Sequence, residues 1–256
     1  MIRNIAERQN EIITLVDQRG FVATEQLVEH FGVTPQTIRR DINFLCERND
    51  LQRFHGGAGR RTSIENEPYR DRRRSLSPAK QKIAEEVAAY IRDGSSLFLN
   101  IGTTTESVAR ALINHKHLSI VTNNLNVASI LSANTSFEIM IAGGRLRQSD
   151  GGIIGVSTVD FVRQFRLDYG IIGVSGIGED GSLLDFDHEE TKTAQAIIES
   201  AHETILVTDH TKFGRRAMTR FAHLSQIDHI YTDIMPPPPY DKLLQETDAK
   251  VVFARK

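Results

Sequence analysis

Seven short apolar runs, SLFLN, LSIVTNN, FEIMIAGG, YGIIGVSG, TILVTDH, HIYTD and KVVFA, recur between residues 96 and 254. Helical stretches near 105–114, 125–133, 157–165, 189–200 and 240–246 separate most of them. Strands that are apolar without alternation must be covered on both faces, and intervening helices supply that cover. The pattern therefore predicts a largely parallel sheet between two helical layers, an α/β domain.

Residues 1–58 follow a different pattern. Ile5, Ile12, Ile13, Leu15 and Val16 mark one helical face that ends at Gly20. Thr24 starts a second helix carrying Leu27, Val28 and Phe31, stopped by Gly32. Thr34-Pro35 is a strong start for a third, an N-cap followed by proline at the first helical position, running to about Asn49. LQRFH then alternates and breaks at Gly56-Gly57, which reads as a small hairpin or wing. From Gly59 to Ser77 apolar periodicity vanishes and charges crowd in, so 59–77 is expected to be a linker and 78–256 the large domain.

Composition narrows the class. The net charge of −2 over 256 residues does not mark the whole molecule as a polyanion binder, although a small head can be locally basic. One cysteine, Cys46, excludes an intrachain disulfide framework and a multi-cysteine zinc site, and it sits on an apolar helix face. The start MIRNIAERQN lacks the apolar core of a signal peptide, and no run approaches the roughly 20 apolar residues that span a bilayer. A cytoplasmic protein is expected.

The third helix, projected at about 100° per residue, has a dry back of Ile38, Ile42, Leu45 and Cys46. Gln36, Arg40 and Asn43 point nearly opposite, with Thr37 and Phe44 flanking and Arg39 near the seam. Such a front suits a DNA major groove: Arg pairs with guanine, Gln and Asn with adenine, and the hydroxyls of Thr34 and Thr37 with phosphate or base. An isolated polar helix face is an ordinary solvated surface. Here the sharp turn HFGVTP joins two helices, and a basic wing with Arg53 and His55 follows, which is the winged helix-turn-helix arrangement.

The segment EQLVEHFGVTPQTIRRDINFL followed by HGGA resembles the helix-turn-helix of the DeoR family of bacterial repressors. The likeness continues through VTNNLNVA, DGGIIG, FRLDYGIIGVSGI, DGSLLDFDHEE and DHTKFGR. The resemblance implies a homo-oligomeric repressor, dimer or tetramer, that binds double-stranded operator DNA and is induced by a phosphorylated effector. Glycerol 3-phosphate is the effector that the later motifs imply. It also implies a large domain similar in fold to ribose-5-phosphate isomerase.

The residues of the large domain point toward an anion site independently. Asn100-Ile101-Gly102-Thr103-Thr104-Thr105 follows a strand and opens a helix, so glycine allows a tight turn and the helix start offers unpaired N–H groups beside three hydroxyls. It has neither a Walker ending nor dinucleotide spacing. Two further strands end in Thr122-Asn123-Asn124 and Gly143-Gly144-Arg145, and a fourth precedes Asp209-His210-Thr211-Lys212. Each is an ordinary turn by itself. Together they are expected to converge outside the carboxyl ends of the strands, with Lys212 and Arg145 supplying positive charge for a phosphate. The family resemblance assigns phosphate and polyol contacts to the same three loops, with Asn100 standing where several members carry Asp.

An enzyme, such as a sugar-phosphate isomerase joined to a targeting head, is the main rival. It requires a carboxylate base, and Glu106, Asp187, Glu189 and Glu190 are available, but none lies in a recognisable catalytic motif. Glu189 and Lys192 are expected to form a surface pair one helical turn apart. HEE is not a zinc motif, and His115 and His117 lack partner ligands, so neither metal nor cofactor is expected. A nucleoid-type structural binder, the other rival, has no use for a ligand crevice.

The projection of the third helix is testable. Arg40→Ala should cost about 1–3 kcal/mol in operator binding and blur preference at one base position per half-site. Arg39→Ala should weaken specific and nonspecific binding evenly and flatten the salt dependence. Equal loss of base discrimination in both variants contradicts the assigned faces.

Overall fold

The structure is a computed structural model that describes residues 4–19, 21–48, 50–54, 56–59 and 66–254. The chain divides into two compact units, the first made chiefly of residues 1–63.

The first unit contains α1 (Ile5–Arg19), β1 (Phe21–Ala23), α2 (Thr24–Phe31), α3 (Pro35–Glu47), β2 (Gln52–Phe54) and β3 (Gly57–Gly59). The turn between α2 and α3 forms as its residues dictate. Gly32 takes the left-handed conformation at φ 64° and its N–H closes on the Val28 carbonyl. Thr34 Oγ1 then accepts the Thr37 N–H at 3.2 Å. Ile12, Val16, Leu27, Ile38, Ile42, Leu45 and Leu51 fill the core, whereas Ile5, expected on the same face, is exposed.

The wing is a three-stranded antiparallel sheet of order β1-β3-β2, and its strand β1 carries no periodicity in sequence. Gly57 is required by that pairing, because a Cβ there would lie 2.3 Å from the Val22 carbonyl oxygen. His55 lies outside the described residues.

Helices α1 and α3 are also joined by a buried ion pair. Arg8 Nε donates to Asp41 Oδ2 at 2.6 Å and Gln9 Nε2 to Asp41 Oδ1 at 3.0 Å. Both charged side chains are buried.

The first helices of the second unit are α4 (Tyr69–Arg74) and α5 (Ser77–Tyr90), so the segment expected to be a linker carries a helix in its second half. There follow β4 (Ser96–Leu99), α6 (Thr103–Ala111), β5 (Ser119–Thr122), α7 (Leu125–Leu131), β6 (Glu138–Ile141), β7 (Arg145–Arg147), β8 (Gly152–Ile154), α8 (Val156–Val162) and β9 (Leu167–Gly173). The remainder is β10 (Gly176–Ile177), β11 (Ser182–Asp185), α9 (His188–Ser200), β12 (Ala201–Val207), β13 (Thr219–His223), β14 (His229–Thr232), α10 (Tyr240–Glu246) and β15 (Lys250–Phe253).

All seven apolar runs enter one parallel sheet of order β15-β14-β12-β9-β4-β5-β6. Successive side chains go to opposite cores. Leu97, Leu99, Ile120, Ile171, Ile205 and Val207 pack with Ile83 and Val87 of α5, Val108 of α6 and Leu112 just after it. Phe98, Val121, Ile172 and Leu206 pack with Val159, Val162, Ala194 and Ile197 of α8 and α9. Burial on both faces explains why these strands read as unbroken apolar runs.

Removing the Asp41 carboxylate leaves the Arg8 guanidinium buried without its counter-ion. Asp41→Ala should cost the first unit about 3–5 kcal/mol, read as reduced amide-exchange protection in peptides of α1 and α3 of the full chain. Unchanged protection there refutes a structural role for the pair.

Candidate effector cleft and DNA-reading face

Strand order determines where the cleft lies. From β4 the chain steps outward to β5 and β6, then returns to the other side of β4 as β9 and continues to β12, β14 and β15. The connections after β4 and β9 therefore diverge, and a crevice opens outside the carboxyl ends of that central pair.

The loop after β4 is tightly specified. The Asn100 N–H donates to the Ile171 carbonyl at 3.1 Å, the last rung between the two strands. Asn100 Oδ1 accepts the Ile101 N–H at 2.7 Å. Gly102 then adopts φ 154° and ψ 151°, a region essentially closed to other residues, and hands the chain to α6. Thr105 Oγ1 lies 2.8 Å from the Asn100 carbonyl and 2.7 Å from that of Gly102, so this fully buried hydroxyl holds the loop closed. The Glu106 N–H is the first to bond back along the helix, to Gly102. The amides of 103–105 are thus the open start of α6.

Thr103 and Thr104 line the cleft beside Gly102, facing Gly173, Val174 and Ser175 after β9 and Val207-Thr208 at the end of β12. Lys212, Arg72, Asp185 and Glu190 complete its polar lining. Of the residues expected to converge, the structure brings together Gly102, Thr103, Thr104, Thr105 and Lys212.

The other loops go elsewhere. Thr122 Oγ1 donates to the Leu99 carbonyl at 2.7 Å, and Asn123 Nδ2 to the Ile153 carbonyl at 3.1 Å. Asn124 Oδ1 caps α7 through the Asn126 N–H at 2.9 Å. All three are fully buried and none lines the cleft. The Gly143 carbonyl accepts from Thr158 Oγ1 at 2.9 Å, while Gly144 is pressed so closely on Thr158 and Ile154 that a Cβ would clash. Arg145 is exposed and bonded to Glu189, which replaces the expected Glu189–Lys192 pair and leaves Arg145 outside the cleft lining. These turns follow β5 and β6, which lie on the far side of β4 from the switch point.

Sequence reasoning missed Arg72, Ser175, Asp185 and the network behind them, although GVSG and DFDHEE both stand out as motifs. Arg147 is the centre of that network. Its Nε and Nη2 donate to the two oxygens of Asp150 at 2.9 and 2.7 Å. Its Nη1 reaches Asp187 Oδ2, and Nη2 also reaches Glu190 Oε2, both at 2.6 Å. Asp187 in turn caps α9, accepting the Glu189 N–H at 2.8 Å.

Acids outnumber bases in this cluster. Burial pushes the Glu190 carboxyl up to about 8, reinforced by the nearby Asp185 charge and opposed by Arg147. Burial likewise raises Asp185. Burial pulls the Arg147 guanidinium down, but the hydrogen bond to Asp150 and the charge of Glu190 outweigh it, and the net shift is upward. Glu106, a candidate base in the enzymatic reading, is buried and occupied: the Tyr69 hydroxyl donates to it at 2.9 Å and Asn126 Nδ2 at 3.1 Å. Among the described residues no group of His, Cys, Asp and Glu is arranged to hold a metal ion. No helix among them is long and apolar enough to cross a membrane.

In the first unit, Gln36, Arg39, Arg40 and Asn43 are exposed on α3, and Asp41 is turned inward. The hydroxyls of Thr34 and Thr37 bond each other at 2.9 Å at the helix start. Arg53 of the wing donates to Asn43 Oδ1, so wing and reading helix present one continuous polar front. Phe44 and Phe54 add exposed rings, with the Arg48 guanidinium 5.6 Å from the centre of the Phe44 ring.

A winged helix-turn-helix joined to a ligand-cleft α/β unit defines a class, the metabolite-responsive DNA-binding transcriptional regulators. Residues 8–64 match the DeoR-like helix-turn-helix domain and residues 76–234 the DeoR C-terminal sensor domain. The chain belongs to the DeoR family. It is 55% identical to the glycerol-3-phosphate regulon repressor of Escherichia coli over 90% of this chain and 92% of that one. The protein of the same name from Haemophilus influenzae is 52% identical, over 90% and 89%. The transcriptional repressor CsqR of Escherichia coli is 41% identical over 97% and 95%. Ribose 5-phosphate isomerase of Methanocaldococcus jannaschii matches with a TM-score of 0.41 at 15% identity, covering 55% of this chain and 56% of that one. The chain groups with transcriptional repressors.

The raised Glu190 carboxyl gives a signed expectation. The folded state holds this proton more tightly than the unfolded chain, so the associated stability is present below the ordinary carboxylate range and is lost as pH rises toward about 8. Melting temperatures measured from pH 5 to 9 should fall more steeply for wild type than for Glu190→Gln. Parallel curves contradict the assignment.

Proposed function

We propose that this chain is a cytoplasmic transcriptional repressor whose operator affinity is lowered by a small phosphorylated polyol, with glycerol 3-phosphate as the effector. The observation that carries the reading is the lining of the cleft. The open amide start of α6, the Thr103 and Thr104 hydroxyls, Arg72 and Lys212 supply donors and positive charge that suit a phosphate. Asp185, Glu190 and Ser175 add hydrogen-bonding oxygens to the same lining, which suit ligand hydroxyls. The names of the relatives above 50% identity support glycerol 3-phosphate as the ligand.

In this reading Gln36, Arg40 and Asn43 read base edges, and Arg39 and Arg53 hold phosphates. Operator sites of helix-turn-helix proteins pair two heads across a palindrome, so the protein acts as a homo-oligomer, dimer or tetramer. Ligand releases DNA only by binding the DNA-free conformation more tightly.

The test is an operator titration with glycerol 3-phosphate, ribose 5-phosphate or inorganic phosphate. Glycerol 3-phosphate at 100 times its dissociation constant should also stabilise the full-length protein by about 2.7 kcal/mol. Gly102→Val and Thr103→Val should lose that stabilisation, bind operator normally and ignore the metabolite. A well-folded Thr103→Val protein with full ligand sensitivity places the phosphate elsewhere.

A further inference from the structure

Helix α4 carries four arginines within YRDRRR, and only one of them, Arg72, is turned inward. Arg72 Nε donates to the Glu67 carbonyl at 3.1 Å, and its guanidinium lies 3.8 Å from Asp150. The inward side is further pinned by the Tyr69 hydroxyl on Glu106. The buried Lys80 ammonium closes the C-terminal end, donating to the carbonyls of Arg72 and Ser75. The helix is thus held rigidly by one side.

Arg70, Arg73 and Arg74 occupy the other side at i, i+3 and i+4, all exposed. Together with Ser77 and Ser149 they line an open cleft of about 620 Å³. No described carboxylate lies within ion-pair distance of these three guanidinium groups, although the chain as a whole carries a net charge of −2. Three such cations on one exposed ridge make a locally positive surface complementary to a polyanion.

We propose that the Arg70, Arg73 and Arg74 ridge of the sensor unit is a second DNA-binding surface, which grips backbone phosphates outside the bases read by α3. The proposal rests on the operator-binding reading above. Chain length permits it: the ten steps from the end of β3 at Gly59 to Tyr69 span at most about 35 Å, close to one turn of duplex, roughly 34 Å. Guanidinium forks suit phosphate oxygens, and the cleft offers none of the carboxylate acceptors that a polyol would need. The ridge therefore adds affinity and salt dependence without sequence preference.

The test uses the full-length protein and a duplex obtained by selection from random sequence, in a long form with flanks and a short form trimmed to the selected bases. In the Arg70→Gln, Arg73→Gln, Arg74→Gln variant, the plot of log affinity against log salt on the long duplex should flatten by about 0.9 for each phosphate no longer neutralised. On the short duplex wild type and variant should coincide, base preference should not change, and glycerol 3-phosphate should release both. Equal salt slopes for wild type and variant on the long duplex overturn the proposal while leaving the operator-binding reading intact. Loss of the metabolite response in the variant also overturns it, since that places the arginines at the effector. A wild-type chain that selects no duplex defeats both readings at once.

Discussion

The central pairing of β4 with β9 is the constraint on which the sensor unit depends. Both strands run the same way, yet their following connections leave in opposite directions. The rung from Asn100 to Ile171 is the last that can form before the loops separate. Beyond it the chain must turn into α6 within two residues, which Gly102 allows and the Thr105 hydroxyl locks. A helix start without backbone partners is thereby left facing the crevice. Its partial positive charge is a consequence of topology before any side chain is chosen.

The side chains then give the crevice both charge signs: Lys212, Arg72 and the threonine hydroxyls line it together with Asp185 and Glu190. Acids crowded so closely repel one another, and Arg147 offsets this by bonding Asp150, Asp187 and Glu190 at once. That guanidinium also ties the β7–β8 hairpin to the start of α9. An event that alters charge at Glu190 therefore reaches two separate elements through one residue.

The head uses the same economy at smaller scale. Asp41 lies on the reading helix but is withdrawn into a pair with Arg8, so the one acid of α3 before Glu47 is kept from the exposed front. The front is left with Gln36, Arg39, Arg40 and Asn43, and Arg53 joins the wing to it through Asn43. The buried ion pair thus keeps a negative charge off the exposed front of the helix.

Local chemistry was legible in the sequence wherever a few neighbouring residues sufficed to determine it. Unbroken apolar runs announced the seven strands because each is buried on both faces. Gly32, Thr34 and Pro35 announced the turn before α3, and Gly102 with its threonines announced the anion-ready helix start. The strands β1, β7 and β8 were silent because three residues carry no period, and α4 was hidden by charges that read as solvated linker. Which loops share a cleft was legible only in part: the IGTTT loop and Lys212 meet as expected, and the TNN and AGG turns do not line that cleft. TNN and AGG resemble IGTTT as turns, but β5 and β6 lie on one side of β4 while β9 and β12 lie on the other. Strand order arises from pairing between segments as distant as Leu97 and Tyr169. Sequence by itself determined the elements, their local chemistry and the expectation that Lys212 joins Thr103; only the tertiary structure, through that long-range pairing, decided that Asp185 and Glu190 line the same cleft while Asn123 and Arg145 do not.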